Sequence, residues 1–270
     1  MNDEFDALDE LGLLDDEEIE LDRAALMLSA LDHEGVDLEP FHDLLDAITE
    51  RLDVVSAQSD TLEQQASALK QVLADEYGFI GDAGAYDAPI NADLIRVLER
   101  KQGLPVSLSI LYVSAARRMG WSAWALNTPG HVLVRLGAKR FMLLDPFHGG
   151  APVTRNQLEA MVRGFSGQEI EQHPEYLAPI PNRAVLVRLL TNQASRAMLA
   201  GDADRALALH ERMARIAPEY PEVWWSLAQA QLELGEREAA RASLSAMLEV
   251  TRDEARRKAV TDLLDQIAAG

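Results

Sequence analysis

Along most of this chain apolar positions recur at helical spacing, and in one central stretch they switch to short runs with a strand-like rhythm. From about Ile19 the pattern is helical: Ala25, Leu28 and Leu31 share a face and Gly35 closes the segment. Pro40 marks the first turn of a second helix, followed by Leu44, Leu45, Ile48 and Leu52 at helical spacing. A third is predicted from Asp60 to Tyr77, with Asp60 and Glu63 as a capping box and Gly78 as a left-handed stop. Residues 79–90 lack periodicity and read as a loop leading to a helix near Asn91 to Lys101, which Gly103 and Pro105 break. The next helix begins close to Ser107 and runs through Ile110, Leu111, Ala115 and Met119 to Gly120.

Three strand-like runs follow, Ser122–Leu126, His131–Leu136 and Arg140–Leu144, and Gly137-Ala138 supplies a hairpin turn that makes the last two antiparallel. Thr154 and Gln157 form a capping pattern that opens a helix to about Arg163, and Pro174–Pro181 reads as a linker. Beyond Asn182 the chain is purely helical and self-similar. Gly201 and Gly235 are 34 residues apart, as are Ala206 and Ala240, which is the period of a tetratricopeptide repeat. Trp224, Leu227, Gly235, Ala240 and Leu244 fill the second unit's pattern. Leu190, Ala194, Gly201, Ala206 and Pro218 fill the first more weakly. A last helix, about Asp253 to Ile267, caps the stack with Val260, Leu263, Leu264 and Ile267. Two repeats and a cap are few for an independent module, so they are expected to pack on the first domain.

The expected fold class is therefore α+β: a helical N-terminal part, a core with antiparallel strands, then an all-α repeat module. The domain boundaries are 1–17 as a tail, 18–173 as the α+β domain, 174–183 as a linker and 184–270 as the repeats. Every charged residue before Arg23 is acidic, with Leu8, Leu11, Leu13 and Leu14 interspersed. Such a segment is either a solvated acidic tail or a short amphipathic piece that docks. Like-charge runs favour the tail.

At 270 residues and 48% hydrophobic composition the chain can build one generous core or two smaller ones. A formal net charge of −20 repels nucleic-acid backbones and anionic membranes and favours basic partners. The start lacks the basic and apolar segments of a secretory signal, and no apolar run approaches the roughly 20 residues that cross a bilayer. A soluble cytoplasmic protein is expected. The absence of cysteine rules out disulfides and thiolate metal sites.

The candidate chemistry lies in Gly103-Leu-Pro-Val-Ser-Leu-Ser109, Gly130-His131 and Asp145-Pro-Phe. This is the layout of a papain-like or transglutaminase-like core, in which a helix start presents a nucleophile and later strands present histidine and aspartate. Together with Ala-Arg-Arg-Met-Gly, Pro-Gly-His and Leu-Asp-Pro-Phe-His-Gly-Gly, the segment Asn91 to Gly150 resembles the bacterial SirB-type family. That family joins a transglutaminase-like core to a tetratricopeptide tail, and the order of parts agrees over about residues 20–270. The resemblance implies that His131 and Asp145 match the second and third catalytic positions. The first, a cysteine whose pKa a helix start lowers, falls at or near Pro105 and has no match.

Two readings of this constellation follow. In one, His131 is a base oriented by Asp145 and activates Ser107 or Ser109, giving a serine-dependent hydrolase or amidase. In the other, His131 and Asp145 form a buried pair that fixes two strands while the serines cap the helix start, and the protein binds without turning over. The second is favoured, because a hydroxyl is harder to activate than a thiol and neither serine sits at the nucleophile's position.

His131, Asp145 and His148 are also donor types for zinc. No His-Glu-x-x-His motif or Asp-rich calcium loop accompanies them, and His148 reads as a solvated residue of the turn Phe147–Gly150, so no metal or cofactor is expected. No phosphate-cradling loop, dinucleotide fingerprint or basic aromatic patch for nucleic acid is present. Arg117 and Arg118 read as surface residues at a helix end. Trp224 takes a repeat's core position, and its neighbour Trp225, pointing about 100° away, either anchors a partner or packs on the first domain. The expected protein is a non-enzymatic partner-binding one with a degenerate transglutaminase-like core. A nucleic-acid mimic that occupies basic proteins is the last-ranked alternative.

Overall fold

The computed structural model describes residues 2–167 and 173–269. Residues 168–172 of the expected core domain lie outside that range, as do the first and last of the chain. Two compact units form: Asp16–Leu189, and the residues up to Asp15 together with Leu190 onward.

The first helix, α1 (Asn2–Leu13), occupies what was expected to be an acidic tail. Leu8 and Leu11 are buried, and α1 packs on the helix Ala203–Ile216 of the repeats. Asp9 pairs with Arg215 at 2.7 Å. Acidic composition did not prevent burial because two leucines three residues apart share a helix face.

In the Asp16–Leu189 unit, α2 (Leu21–Ala30) and α3 (Glu39–Ser56) follow the predicted pattern. The third helix departs from it. Its capping box is Thr61 with Gln64, one residue later than expected: Thr61 Oγ1 accepts from Gln64 N–H, and Gln64 Oε1 accepts from Thr61 N–H at 3.0 Å. A hydroxyl and an amide satisfy both orphan donors there, which Asp60 and Glu63 do not. α4 (Leu62–Leu69) then widens into a π-helical turn, Lys70–Glu76, before Gly78 ends it at φ +80°.

The expected loop contains a short strand, β1 (Ile80–Gly81), and a 3₁₀ turn, Pro89–Ala92, which delays α5 (Leu94–Arg100) until Asp93 caps it. β1 pairs in parallel with β2 (Gln102–Gly103). α6 (Pro105–Arg118) starts two residues before the predicted point, because Pro105 is a favourable first helical residue rather than a break. Every residue from Pro105 to Ala116 is buried, as expected of a central helix that is packed on all sides.

An antiparallel sheet covers α6, with strands in chain order: β3 (Ala123–Thr128), β4 (His131–Leu136), β5 (Met142–Asp145) and β6 (Ala151–Val153). The sequence pattern missed β6, which has only three residues and one proline. On the other sheet face Leu126, Leu133 and Leu143 meet Leu158 and Val162 of α7 (Arg155–Ser166), whose Thr154–Gln157 box forms as predicted. Full burial of such side chains contributes about 1.5–3 kcal/mol each.

The proline-rich segment is docked rather than free. Pro179 bridges Leu126 at the β3 edge, and the carboxylate of Asp16 caps α8 (Asn182–Leu199) by accepting from the N–H groups of Asn182 and Arg183, both at 2.8 Å. Arg117 and Arg118 are half-buried at the end of α6, and both are paired. Arg117 Nη1 donates to Asn182 Oδ1 at 2.8 Å, and Arg118 pairs at 2.8 Å with Asp22, whose carboxyl burial pushes up.

The remaining helices are α9 (Ala203–Ile216), α10 (Pro221–Glu233), α11 (Arg237–Val250) and α12 (Glu254–Ala269). Gly201 and Gly235 turn at φ +77° and +79°, and Ala206 and Ala240 are fully buried, as the 34-residue period requires. The fold is α+β with a helical repeat module. Among the described residues no helix is long and apolar enough to cross a membrane.

Candidate functional site

At the start of α6, Leu104 is the N-cap and Pro105 the first helical residue. Ser107, in the first turn, accepts from Leu104 N–H at 2.9 Å and donates to Asn91 O at 2.8 Å. Ser109 donates to Val106 O at 2.8 Å. Both serines are fully buried, and among the described residues their hydroxyls bond to backbone groups rather than to His131.

Ser107 belongs to a polar network. Asn91 Nδ2 donates to Ala85 O at 2.7 Å, Arg100 Nη1 to Asn91 Oδ1 at 2.8 Å, and Arg100 Nη2 to Asp82 Oδ2 at 2.9 Å. These bonds tie the 82–91 loop to the base of α6. Gly103 is needed at the junction, since a Cβ there would lie 2.6 Å from Ser107 Oγ.

His131 opens β4 and Asp145 ends β5. The strand register pairs Val134 with Leu144, and continuing it by one residue sets Asp145 opposite Leu133, with His131 diagonal to it on the same face. The imidazole spans that diagonal, bringing Nε2 to 2.8 Å from Asp145 Oδ1. The turn into His131 uses Pro129 and Gly130, whose φ of +68° suits glycine at the second central position. Arg188 and Thr128 both donate to the His131 carbonyl at 3.0 Å, holding the strand end.

Asp145 also caps the short turn Pro146–His148, accepting from Phe147 N–H at 3.0 Å and His148 N–H at 3.3 Å. Burial works against its charge, but the bonds and charges of His131 and then His148 outweigh this and hold its carboxyl below the usual range. His148 lies in the turn as predicted and its side chain is 67% exposed, yet its Nδ1 is 2.7 Å from Asp145 Oδ2. One carboxylate therefore holds two imidazoles, one per oxygen. His131, Asp145 and His148 each offer one ligand atom, and these three atoms lie within 4.8 Å of one another, a set that suits a metal ion.

Phe147 walls this cluster, its ring centroid 6.0 Å from that of His131 and 5.3 Å from that of His148, with Tyr86 at 5.6 Å on its far side. Gly81 lets the Phe147 ring approach, because a Cβ there would collide with it. Tyr112 of α6 backs the turn: a Cβ on Gly150 would come within 2.7 Å of its Oη. That hydroxyl has no hydrogen-bond partner among the described residues, and burial, followed by the charges of Asp75 and Asp145, raises its pKa. Sequence reasoning missed Tyr86, Tyr112 and Arg188 altogether. For His148 a signal existed, since a histidine three residues after an aspartate reaches back across a tight turn.

In the repeats, Trp224 Nε1 donates to Pro218 O at 2.7 Å. Trp225 lines a cavity of about 490 Å³ with Glu222 and Ser226 of α10, Met247 of α11, and Arg256 and Val260 of α12.

Residues 39–191 match the transglutaminase-like superfamily, and residues 197–264 match the tetratricopeptide repeat. The chain is 30% identical over 244 residues to a UPF0162 protein of Xylella fastidiosa (strain 9a5c), covering 89% of this chain and 87% of that protein. It is 25% identical over 187 residues to Protein SirB1 of Salmonella typhimurium, covering 67% of this chain and 69% of that one. F-box only protein 21 of Mus musculus is 29% identical over 117 residues, 40% of this chain and 18% of that protein.

Proposed function

This chain belongs to the transglutaminase-like superfamily in its SirB-type form with a tetratricopeptide tail, and from that premise we propose that it is a non-enzymatic regulatory protein that binds a protein partner. The observation that carries the reading is the start of α6. Pro105, at or near the position that the resemblance gives the nucleophile, is the first helical residue there, and the Ser107 and Ser109 hydroxyls donate to the carbonyls of Asn91 and Val106. A serine becomes a nucleophile by passing its proton to a base, and a backbone carbonyl is not one. The repeats supply the partner-binding surface, with Trp225 as the anchor over its apolar cavity. The net charge of −20 favours a basic partner and disfavours nucleic acid and anionic membranes.

A second reading, a serine-dependent hydrolase or amidase, draws on the 2.8 Å contact between His131 and Asp145, the base-and-orienter half of a triad. It needs Ser107 or Ser109 to leave its present hydrogen bonds. A fluorophosphonate probe and a panel of ester and amide substrates separate the two. The expected outcome is no labelling and no turnover, with loss of partner capture in Trp225→Ala. Labelling of either serine, or hydrolysis that His131→Ala abolishes, would overturn the binding-only reading.

A further inference from the structure

We propose that His131, Asp145 and His148 form a binding site for a divalent transition-metal ion of the zinc type, with Nε2 of His131, the Asp145 carboxylate and Nδ1 of His148 as its protein ligands. The inference does not depend on the partner-binding reading, which makes no use of His148.

A base held by an orienting carboxylate needs one imidazole. Here a second ring, on a residue whose side chain is 67% exposed and could extend into water, folds back onto the same buried carboxylate at 2.7 Å. The result is two neutral-capable nitrogen donors and one carboxylate converging from β4, the end of β5 and the following turn. Two imidazoles and a carboxylate are a donor set suited to zinc and its neighbours in the first transition row.

The geometry is close to what an ion requires. All three ligand atoms lie within 4.8 Å of one another, while zinc bonds of about 2.0–2.2 Å ask for donors roughly 3.3 Å apart. Asp145 is anchored by the N–H groups of Phe147 and His148, and His131 is held at its carbonyl by Thr128 and Arg188, so these two ligands are preset. His148, on the solvent side, is the one that closes the remaining distance. Its exposed face leaves the fourth position open to water. Phe147, 9% exposed, forms an apolar wall against both rings. An ion at this point replaces the hydrogen bonds that now join the carboxylate to each ring, and each imidazole carries its proton on the other nitrogen. The strongly acidic chain draws cations toward it.

The test uses the full chain stripped of metal by a chelator that is then removed. Zinc is titrated in competition with a chromophoric chelator, and cobalt is used separately to report coordination through its visible absorption. The expected result is one zinc per chain, a four-coordinate cobalt spectrum, and a rise in melting temperature on adding zinc. His148→Ala should weaken zinc at least about tenfold and remove the cobalt bands while leaving the far-ultraviolet dichroism unchanged. Since His148 is exposed, this variant is expected to fold, and Asp145→Asn then serves as the second ligand test. His173→Ala, which removes a half-buried histidine paired with Glu175, should leave binding unchanged. Absence of saturable binding in the wild-type chain, or binding of equal strength in His148→Ala, would overturn the site.

Discussion

The unit Asp16–Leu189 and the helical repeats solve the same packing problem with different kinds of contact. In the first unit, decisive bonds join residues far apart in sequence: Asp22 with Ser114 and Arg118, Ser29 with Leu94, Asn91 with Ser107, and Asp16 with Asn182. In the repeats, α9 packs on α10 and α10 on α11, so apart from the contact of α1 with α9 the packing is between chain neighbours. Buried polar bonds there are correspondingly short in range, as in Ser243 to Gln231 at 2.7 Å. The comparison teaches that a stack of neighbours tolerates local loosening, whereas a core tied by single long-range bonds loosens as a whole.

The sharpest way to break this contrast is to open a cavity in each unit. Leu108 of α6 and Leu244 of α11 are both fully buried. Replacing either with alanine should cost about 2–5 kcal/mol. Hydrogen exchange should then rise across the Asp16–Leu189 unit in Leu108→Ala, but mainly in α10, α11 and α12 in Leu244→Ala. A rise confined to α6 in the first variant would end the distinction.

A smaller effect is expected at the polar network beneath α6. Asn91→Ala leaves Ala85 O and Arg100 Nη1 without their present partners, at a cost of about 1–3 kcal/mol by chemical denaturation. The substitution should also free the 82–91 loop, and with it Tyr86. Unchanged exchange in that loop would show that β1 alone holds it.

The smallest effect is electrostatic. The Arg100 guanidinium bonded to Asp82, helped by Ala85 N–H, holds the Asp82 carboxyl below its ordinary value of 3.8. A depressed folded-state value means stability that is present above about pH 4 and is lost as pH falls through the folded value. The stability difference between the wild type and Asp82→Asn should therefore stay constant from pH 7 to about pH 4 and shrink below that. A difference that persists unchanged into stronger acid would remove the charge from the account.

The legibility of the chain follows the same division. The Thr154–Gln157 box and the antiparallel pair joined at Gly137-Ala138 rest on residues close along the chain, the repeat rests on a fixed 34-residue period, and all appear as predicted. The mismatch at Thr61 arose because two overlapping capping patterns compete within the same five residues. The π-helical turn at Lys70–Glu76 carries no local signature. The sequence also pointed to His131 and Asp145 as a pair through their family motifs. It could not place the serine hydroxyls, whose acceptors include a carbonyl sixteen residues away at Asn91.

Local order alone determined which segments are helices, where most of them stop, that no thiol is present, and that the tail of the chain repeats. These follow from backbone propensity, side-chain periodicity and composition, which act over one or two turns. Tertiary structure decided that Leu8 and Leu11 are core residues, that Asp16 caps a helix beginning at Asn182, and that His148 joins His131 on one carboxylate. Each of these depends on which backbone donors and apolar faces the folded chain brings within a few ångströms, a relation that distance along the chain does not encode.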